Sequence, residues 1–235
     1  MSMPLTSRAI RKTLTLSPRD YLMAIIGALL ALLIYGVFTM TTHAQTALPY
    51  QESGITAAWI PDTVRRWDKP VNQMARRYNI DANLVAILMT MESGGNPQAK
   101  SEVGATGLMQ IMPATAADIA KRHLHKPVAD YNLQDPATNI EFGVAYLAWL
   151  RDEFGAARQG PSWNETVELI AAGYNGGAGT ANALEQGEGL RDPQPVIYSR
   201  DAYNMWRERV SQTSPTFERW EERGGQSLLE AAKSD

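Results

Sequence analysis

From Tyr21 to Met40 the chain reads YLMAIIGALLALLIYGVFTM, 20 residues without a single charge. As a helix rising 1.5 Å per residue, such a run spans roughly 30 Å, the thickness of a bilayer's hydrocarbon core. A helix on the surface of a soluble domain needs a polar face, and this run offers none. Arg8, Arg11, Lys12 and Arg19 precede it, and the first charge after it is Glu52. The positive-inside bias therefore predicts a basic cytoplasmic leader over residues 1–20, a membrane helix over 21–40, and export of everything that follows. A cleaved signal sequence is the competing expectation, because Thr42-His43-Ala44 is a workable small-residue cleavage site. Against it, the apolar run is longer than the usual ~7–15 residues.

Composition then removes whole classes of chemistry. The chain holds no cysteine, so it has no disulfide framework, no thiolate nucleophile and no Cys-ligated metal. With 22 basic and 25 acidic side chains its net charge is −3. Residues 1–40 contain four of the bases and one of the acids, which leaves −6 on the rest. Nucleic acid is therefore not an expected partner. His123 and His125 stand two apart, and on a helix that spacing does not share a face, so no metal is expected either.

Beyond the membrane segment, residues 41–60 are polar and broken by Pro49 and Gly54, and they read as a tether. A helical domain is expected over 61–212, followed by a tail over 213–235 that looks frayed beyond Arg223. Val64, Trp67, Val71, Met74 and Tyr78 recur at helical spacing, with a kink or break expected at Pro70. Asp81 predicts the N-cap of a helix carrying Leu84, Val85, Leu88 and Met91 on one side, stopped by Gly94-Gly95. Pro113 predicts the first turn of another helix through Ala120. Asp135-Pro136 predicts a further start, with Asn139, Ile140, Gly143, Tyr146, Leu147 and Leu150 on one face. Ser162 with Glu165 makes a capping box for a helix ending near Tyr174–Gly177, and a last helix is expected over Val196–Val210. The fold class is all-α, with a short hairpin near Val103–Ile111.

Glu92 stands out among the carboxylates, in the last turn of an apolar helix. Burial and the negative end of the helix dipole both disfavour its charged form, and a raised pKa is what a general acid near neutral pH requires. Gly104-Ala-Thr-Gly107-Leu-Met-Gln110 presents one amide from a glycine-flanked turn. Ala171-Ala-Gly-Tyr174-Asn175-Gly176-Gly177 puts a phenol and an amide at a helix end, and Tyr198 and Tyr203 add two more phenols. Amides and phenols suit a neutral, hydroxyl-rich polymer such as a glycan.

Four motifs stand in order: Glu92-Ser93-Gly-Gly-Asn96-Pro97, Gly107-Leu-Met-Gln110-Ile-Met-Pro113-Ala-Thr115-Ala, Asn139-Ile140-x-x-Gly143-x-x-Tyr146-Leu147, and Ala172-Gly173-Tyr174-Asn175-Gly176-Gly177. In sequence and spacing they resemble the SLT family of lytic transglycosylases, over roughly Val64–Arg209. The resemblance implies a goose-type, lysozyme-like helical domain that cleaves bacterial peptidoglycan without a cofactor. It assigns the role of sole acid/base to Glu92, and substrate binding to Ser101, Gln110, Tyr174, Asn175 and Tyr203. The match at Tyr203 is looser, since the family's acidic-Thr lead-in is replaced by Tyr198-Ser199-Arg200-Asp201. Tyr174 is expected to hold Glu92 in place, and Ser101 and Gln110 to grip the sugar.

The implied chemistry needs one carboxylate where ordinary glycosidases use two. Protonated Glu92 would deliver its proton to the oxygen joining N-acetylmuramic acid to N-acetylglucosamine. The ionised group would then take the proton of the muramic C6 hydroxyl as that oxygen closes on C1, giving a 1,6-anhydro end. Two other readings stand beside this one. A hydrolytic muramidase on the same scaffold would need a second acid, for which Asp118, Asp130 and Glu141 are available. A wall-binding structural part of an envelope-spanning machine would need no proton donor at all. By topology, the domain is expected in the periplasm, on the bacterial inner membrane if the apolar segment is retained. Local wall opening for a secretion or conjugation apparatus is its expected setting, by analogy.

Overall fold

The computed structural model describes residues 54–125, 127, 131–155, 163–188, 190 and 192–234. The expected membrane segment, Asp130 and the Ser162 half of the expected capping box lie outside the described residues. Among the described residues no helix is long and apolar enough to cross a membrane.

Among the described residues ten α-helices follow one another: α1 Asp62–Arg65, α2 Asp68–Tyr78, α3 Ala82–Ser93, α4 Pro113–Ile119, α5 Pro136–Gly155, α6 Trp163–Gly176, α7 Ala178–Glu185, α8 Gln194–Glu208, α9 Pro215–Trp220 and α10 Gln226–Lys233. Wider π-type turns extend α4 over Ala120–Leu124 and join α9 to α10 over Glu221–Gly225. No strand occurs among the described residues. The hairpin expected near Val103–Ile111 is reduced to two isolated antiparallel bridges, Lys100 with Thr106 and Thr106 with Ile111. Positive φ angles at Gly104, Gly107 and Gln110 coil that stretch into successive turns and prevent an extended run.

α3 is the centre of the fold. Its side chains from Ala82 to Met91 are all buried, so the face expected for Leu84, Val85, Leu88 and Met91 is in fact the whole helix. A helix apolar all round must be wrapped, and α1, α2, α8 and α10 pack against this one. Asp81 caps its start by accepting from the Asn83 N–H at 2.8 Å. Gly94 ends it in the left-handed region at φ 61°. α6 lies against α5, α7 and α8, and Gly143, Ile140, Leu147 and Leu150 form the inner face of α5.

Three expectations change. The first helix breaks at Arg66–Trp67, ahead of Pro70, which sits in the first turn of α2, where its missing N–H costs no bond. Residues 54–60, read as the end of a tether, are pinned to the domain. The Asn83 side chain accepts from the N–H of Thr56 and Ala57, and the Arg65 guanidinium donates to the carbonyls of Ile55 and Ala57. The stretch beyond Arg223, expected to fray, is helical and anchored. Leu229 and Ala232 are buried, and Asn96 and Arg66 donate to the carbonyls of Ala231 and Ala232. The reason is local to α3: a Cβ at Gly94 would stand 2.7 Å from the Leu228 backbone, so α10 lies directly on the end of that helix.

Candidate active site

Glu92 projects from the last turn of α3, half-buried. Its Oε1 accepts the hydroxyl proton of Tyr198, on α8, at 2.7 Å. Burial pushes its pKa up to about 7, and the Tyr198 hydrogen bond opposes that rise. The carboxyl is therefore neutral in a large fraction of molecules at physiological pH, as a general acid must be.

Next to it, through the following residue Ser93, the turn over residues 99–110 is held from three directions. Ser93 Oγ donates to the Leu108 carbonyl at 2.7 Å. Asn139 is fully buried on α5; its Oδ1 accepts from the Met109 N–H at 2.7 Å, and its Nδ2 donates to the carbonyls of Thr106 and Leu133 at 2.8 and 2.9 Å. The close approach requires Gly107, where a Cβ would fall 2.4 Å from Asn139 Nδ2. Tyr174 completes the frame by donating to the Met109 carbonyl at 2.8 Å.

The phenols form one connected wall. The Tyr146 ring lies 5.4 Å from that of Tyr174 and stacks at 5.6 Å on Trp149. Burial pushes the Tyr146 hydroxyl to about 12, with help from the Asp118 charge. Burial and the Glu92 charge raise Tyr174 and Tyr198 well above the ordinary phenol value. All three stay protonated, as hydrogen-bond donors and not as bases.

The expected site residues divide accordingly. The hydroxyl that touches Glu92 belongs to Tyr198; Tyr174, expected in that role, spends its proton on the turn. Gln110 sits at φ 46°, and its Nε2 donates to the carbonyls of Ala99 and Gly107, so the amide nitrogen braces the turn's own backbone. Ser101 Oγ accepts from the Ala105 N–H at 2.9 Å, closing a smaller turn. Asn175 is half-buried at the end of α6 and makes no side-chain hydrogen bond to a described residue. Tyr203 lies about 140° around α8 from Tyr198 at 3.6 residues per turn, with the Arg207 guanidinium 5.7 Å over its ring. Of the other acids weighed, Asp118 pairs with Arg122 and Glu141 with Arg77.

A family model described as "Transglycosylase SLT domain" matches residues 69–196, more than half of the chain. The chain belongs to the SLT family. It is 42% identical over 118 residues to "Membrane-bound lytic murein transglycosylase C" of Glaesserella parasuis serovar 5 (strain SH0165), which is 49% of this chain and 32% of that protein. It is 36% identical over 97 residues to "Membrane-bound lytic murein transglycosylase E" of Buchnera aphidicola subsp. Acyrthosiphon pisum (strain APS), covering 40% of this chain and 44% of that one. The matched region is thus less than half the length of these SLT relatives. Among solved structures, an inactive mutant of the lytic transglycosylase Slt from Pseudomonas aeruginosa is similar at TM-score 0.47 and 23% identity, over 63% of this chain and 25% of that one. The 70 kDa soluble lytic transglycosylase of Escherichia coli aligns at 0.44 and 27% identity, over 65% and 27%.

Proposed function

We propose that the protein is a peptidoglycan lytic transglycosylase in which Glu92 alone serves as acid and then base. The observation that carries this reading is the Glu92 carboxyl in the last turn of α3, oriented by the Tyr198 hydroxyl at 2.7 Å and raised by burial to a pKa of about 7. Membership of the SLT family supplies the substrate class. Glu92 protonates the oxygen between N-acetylmuramic acid and N-acetylglucosamine as the bond to C1 breaks. Its carboxylate then removes the proton of the muramic C6 hydroxyl while that oxygen bonds to C1. The proton count returns to its start, and water takes no part. Tyr198 stabilises the ionised intermediate state of Glu92 and fixes its orientation. Ser101, Asn175 and the free capacity of Gln110 face the glycan in this reading, with Tyr174 and Tyr203 lining its path.

Hydrolysis on the same scaffold would need a second carboxylate to position water. Among the described residues Asp118 and Glu141 are each engaged by an arginine, Arg122 and Arg77, which favours neither as that group. The charge-free run over residues 21–40 supports retention at the inner membrane with the domain in the periplasm, where a short-tethered enzyme suits local wall opening for a secretion or conjugation apparatus. Sequencing the N-terminus of membrane-purified protein tests the anchor, and a start at Gln45 removes it. Mass analysis of digested wall tests the reaction. The expected muropeptides end in 1,6-anhydromuramic acid, lighter by one water than a hydrolase product. Reducing ends alone would establish the hydrolase instead.

A further inference from the structure

Glu92 stands just ahead of a stretch with little stiffness of its own. Ser93 is followed by Gly94 and Gly95, both in the left-handed region, at φ 61° and 87°. Glycine restricts its own backbone least. The last turn of a helix also lacks part of its internal hydrogen bonding, and helix ends fray first. A carboxyl in that turn keeps a fixed place only if something outside α3 holds the backbone beyond it.

The flanks of the domain do so from two sides. A Cβ on Gly95 would stand 2.3 Å from the Thr63 carbonyl oxygen of α1, and one on Gly94 would stand 2.7 Å from the Leu228 backbone of α10. Arg66 ties the two sides together. Its Nη2 donates to the Gly95 carbonyl at 3.0 Å and to the Ala232 carbonyl at 3.3 Å. Trp67 Nε1 donates to the same Gly95 carbonyl at 3.0 Å. On its other side, the Gly95 N–H donates to Ser93 Oγ at 3.2 Å, and that hydroxyl donates to the Leu108 carbonyl of the turn. We propose that Arg66 is a positioning residue for the reaction: it fixes the backbone after Glu92 between α1 and α10, and so holds the carboxyl on the Tyr198 hydroxyl. This rests on Glu92 being the acid and base, and adds what keeps it in place.

The side chain suits the task. A guanidinium nitrogen carries N–H groups that diverge in one plane, and here one nitrogen spans two carbonyls from segments far apart in the chain. Its positive charge sits at the C-terminal end of α3, where the helix dipole favours a cation. The effect on rate follows from geometry. A shift of about 1 Å at a reacting group can cost on the order of 10²-fold, and the 2.7 Å contact between Tyr198 and Glu92 leaves little slack. Arg66, Trp67, α1 and α10 all lie outside residues 69–196, the stretch that the family model matches. In this chain the shared motif supplies the acid and its glycine stop, and the flanks hold them.

Kinetics of the full chain on peptidoglycan decide the matter, with Arg66→Met and Arg66→Lys made alone and Arg66→Met also combined with Tyr198→Phe. Arg66→Met is expected to lower kcat about tenfold, with KM within about twofold of wild type. Arg66→Lys, whose ammonium carries three N–H donors, is expected to restore most of that loss. Added to Tyr198→Phe, Arg66→Met is expected to cost less than about twofold in kcat, because the contact it preserves is already gone. Its effect on melting temperature should be the same in both backgrounds. A loss that falls on KM overturns the proposal, as does a full tenfold loss on top of Tyr198→Phe. Arg66→Lys no better than Arg66→Met overturns it too, and so does a lower melting temperature with kcat unchanged. If Arg66→Met does not fold, Trp67→Phe removes the second donor to Gly95 and carries the same comparison, with a loss of about threefold. Wild type inactive on the wall would refute the transglycosylase reading instead. The position of Glu92 is then read from the titration of its carboxyl carbon by nuclear magnetic resonance. Tyr198→Phe should raise the midpoint in the wild-type background, since that hydrogen bond lowers it, and leave it unchanged in Arg66→Met. An equal rise in both backgrounds ends the proposal.

Discussion

The two sides of the site are secured in opposite ways. The turn over residues 99–110 is tied by Ser93, Asn139, Gln110 and Tyr174, from three helices and from within. Glu92 has, among the described residues, one side-chain hydrogen bond, from Tyr198. A buried polar frame with every group satisfied is rigid, and losing one member strands several others. A carboxyl that must be neutral and then charged cannot be held so completely, because each donor that favours its anion lowers the pKa its first task requires. One phenol is a compromise between orientation and acidity.

Substitutions can break or sharpen this contrast. The largest effect is expected at Glu92→Gln, which keeps shape and one acceptor but loses the transferable proton. General acid–base assistance is worth ~10²–10⁴-fold, and turnover of wall polymer should fall at least that far while the fold persists. The same variant should alter stability against pH with a definite sign. The folded carboxyl, at about 7, lies above the usual carboxylate value, so the wild-type protein is undisturbed at pH 4 and loses stability as pH rises towards 7. Glu92→Gln lacks that loss, and denaturant titrations at pH 8 should find it more stable than wild type by up to about 3 kcal/mol.

Asn139→Ala should come next, and on stability. It strands a buried N–H at Met109 and two carbonyls, and urea unfolding should report a loss of about 3 kcal/mol. A loss below 1 kcal/mol would mean that the turn is not held as the geometry implies. Tyr198→Phe should be milder and different in kind. Removing the hydroxyl removes the one influence that lowers the Glu92 pKa, so the alkaline limb of the pH–rate profile should move above 7, with kcat about tenfold lower. A merely structural Tyr198 would leave that limb in place. The smallest effects separate two amides. Gln110→Ala should cost about 1 kcal/mol of stability through its two bonds to backbone. Asn175→Ala should leave the melting temperature alone and raise KM.

The same contrast explains what could be read in the chain beforehand. Caps and proline starts are local, so Asp81, Gly94, Pro113 and Asp135-Pro136 announced their helices correctly. The position of Glu92 in the last turn of an apolar helix carried its raised pKa for the same reason. Between Tyr198 and Tyr203, motif likeness favours the latter. Helix phase favours the former: Tyr198, Ala202, Met205 and Trp206 are all buried on α8 at spacings of four, seven and eight. Nothing local marked Asn139 as the staple of a turn some thirty residues earlier. Nor could the modest apolar content of Gln226–Lys233 show that Leu229 and Ala232 would find cover against the distant end of α3. Those bonds and contacts join segments far apart in the chain, and periodicity carries no information about them.

That last contact has a consequence for the order in which the protein becomes competent. Gly94 and Leu228 meet across 134 residues of chain. Synthesis proceeds from the N-terminus, so a nascent chain grown to residue 210 already contains Glu92, Tyr174 and Tyr198. It still lacks the helix that lies on the end of α3. The carboxyl is among the first of these groups to be made, and its surroundings are among the last to be finished. An immature molecule would therefore have its reactive group in place before the packing at the end of α3 is complete.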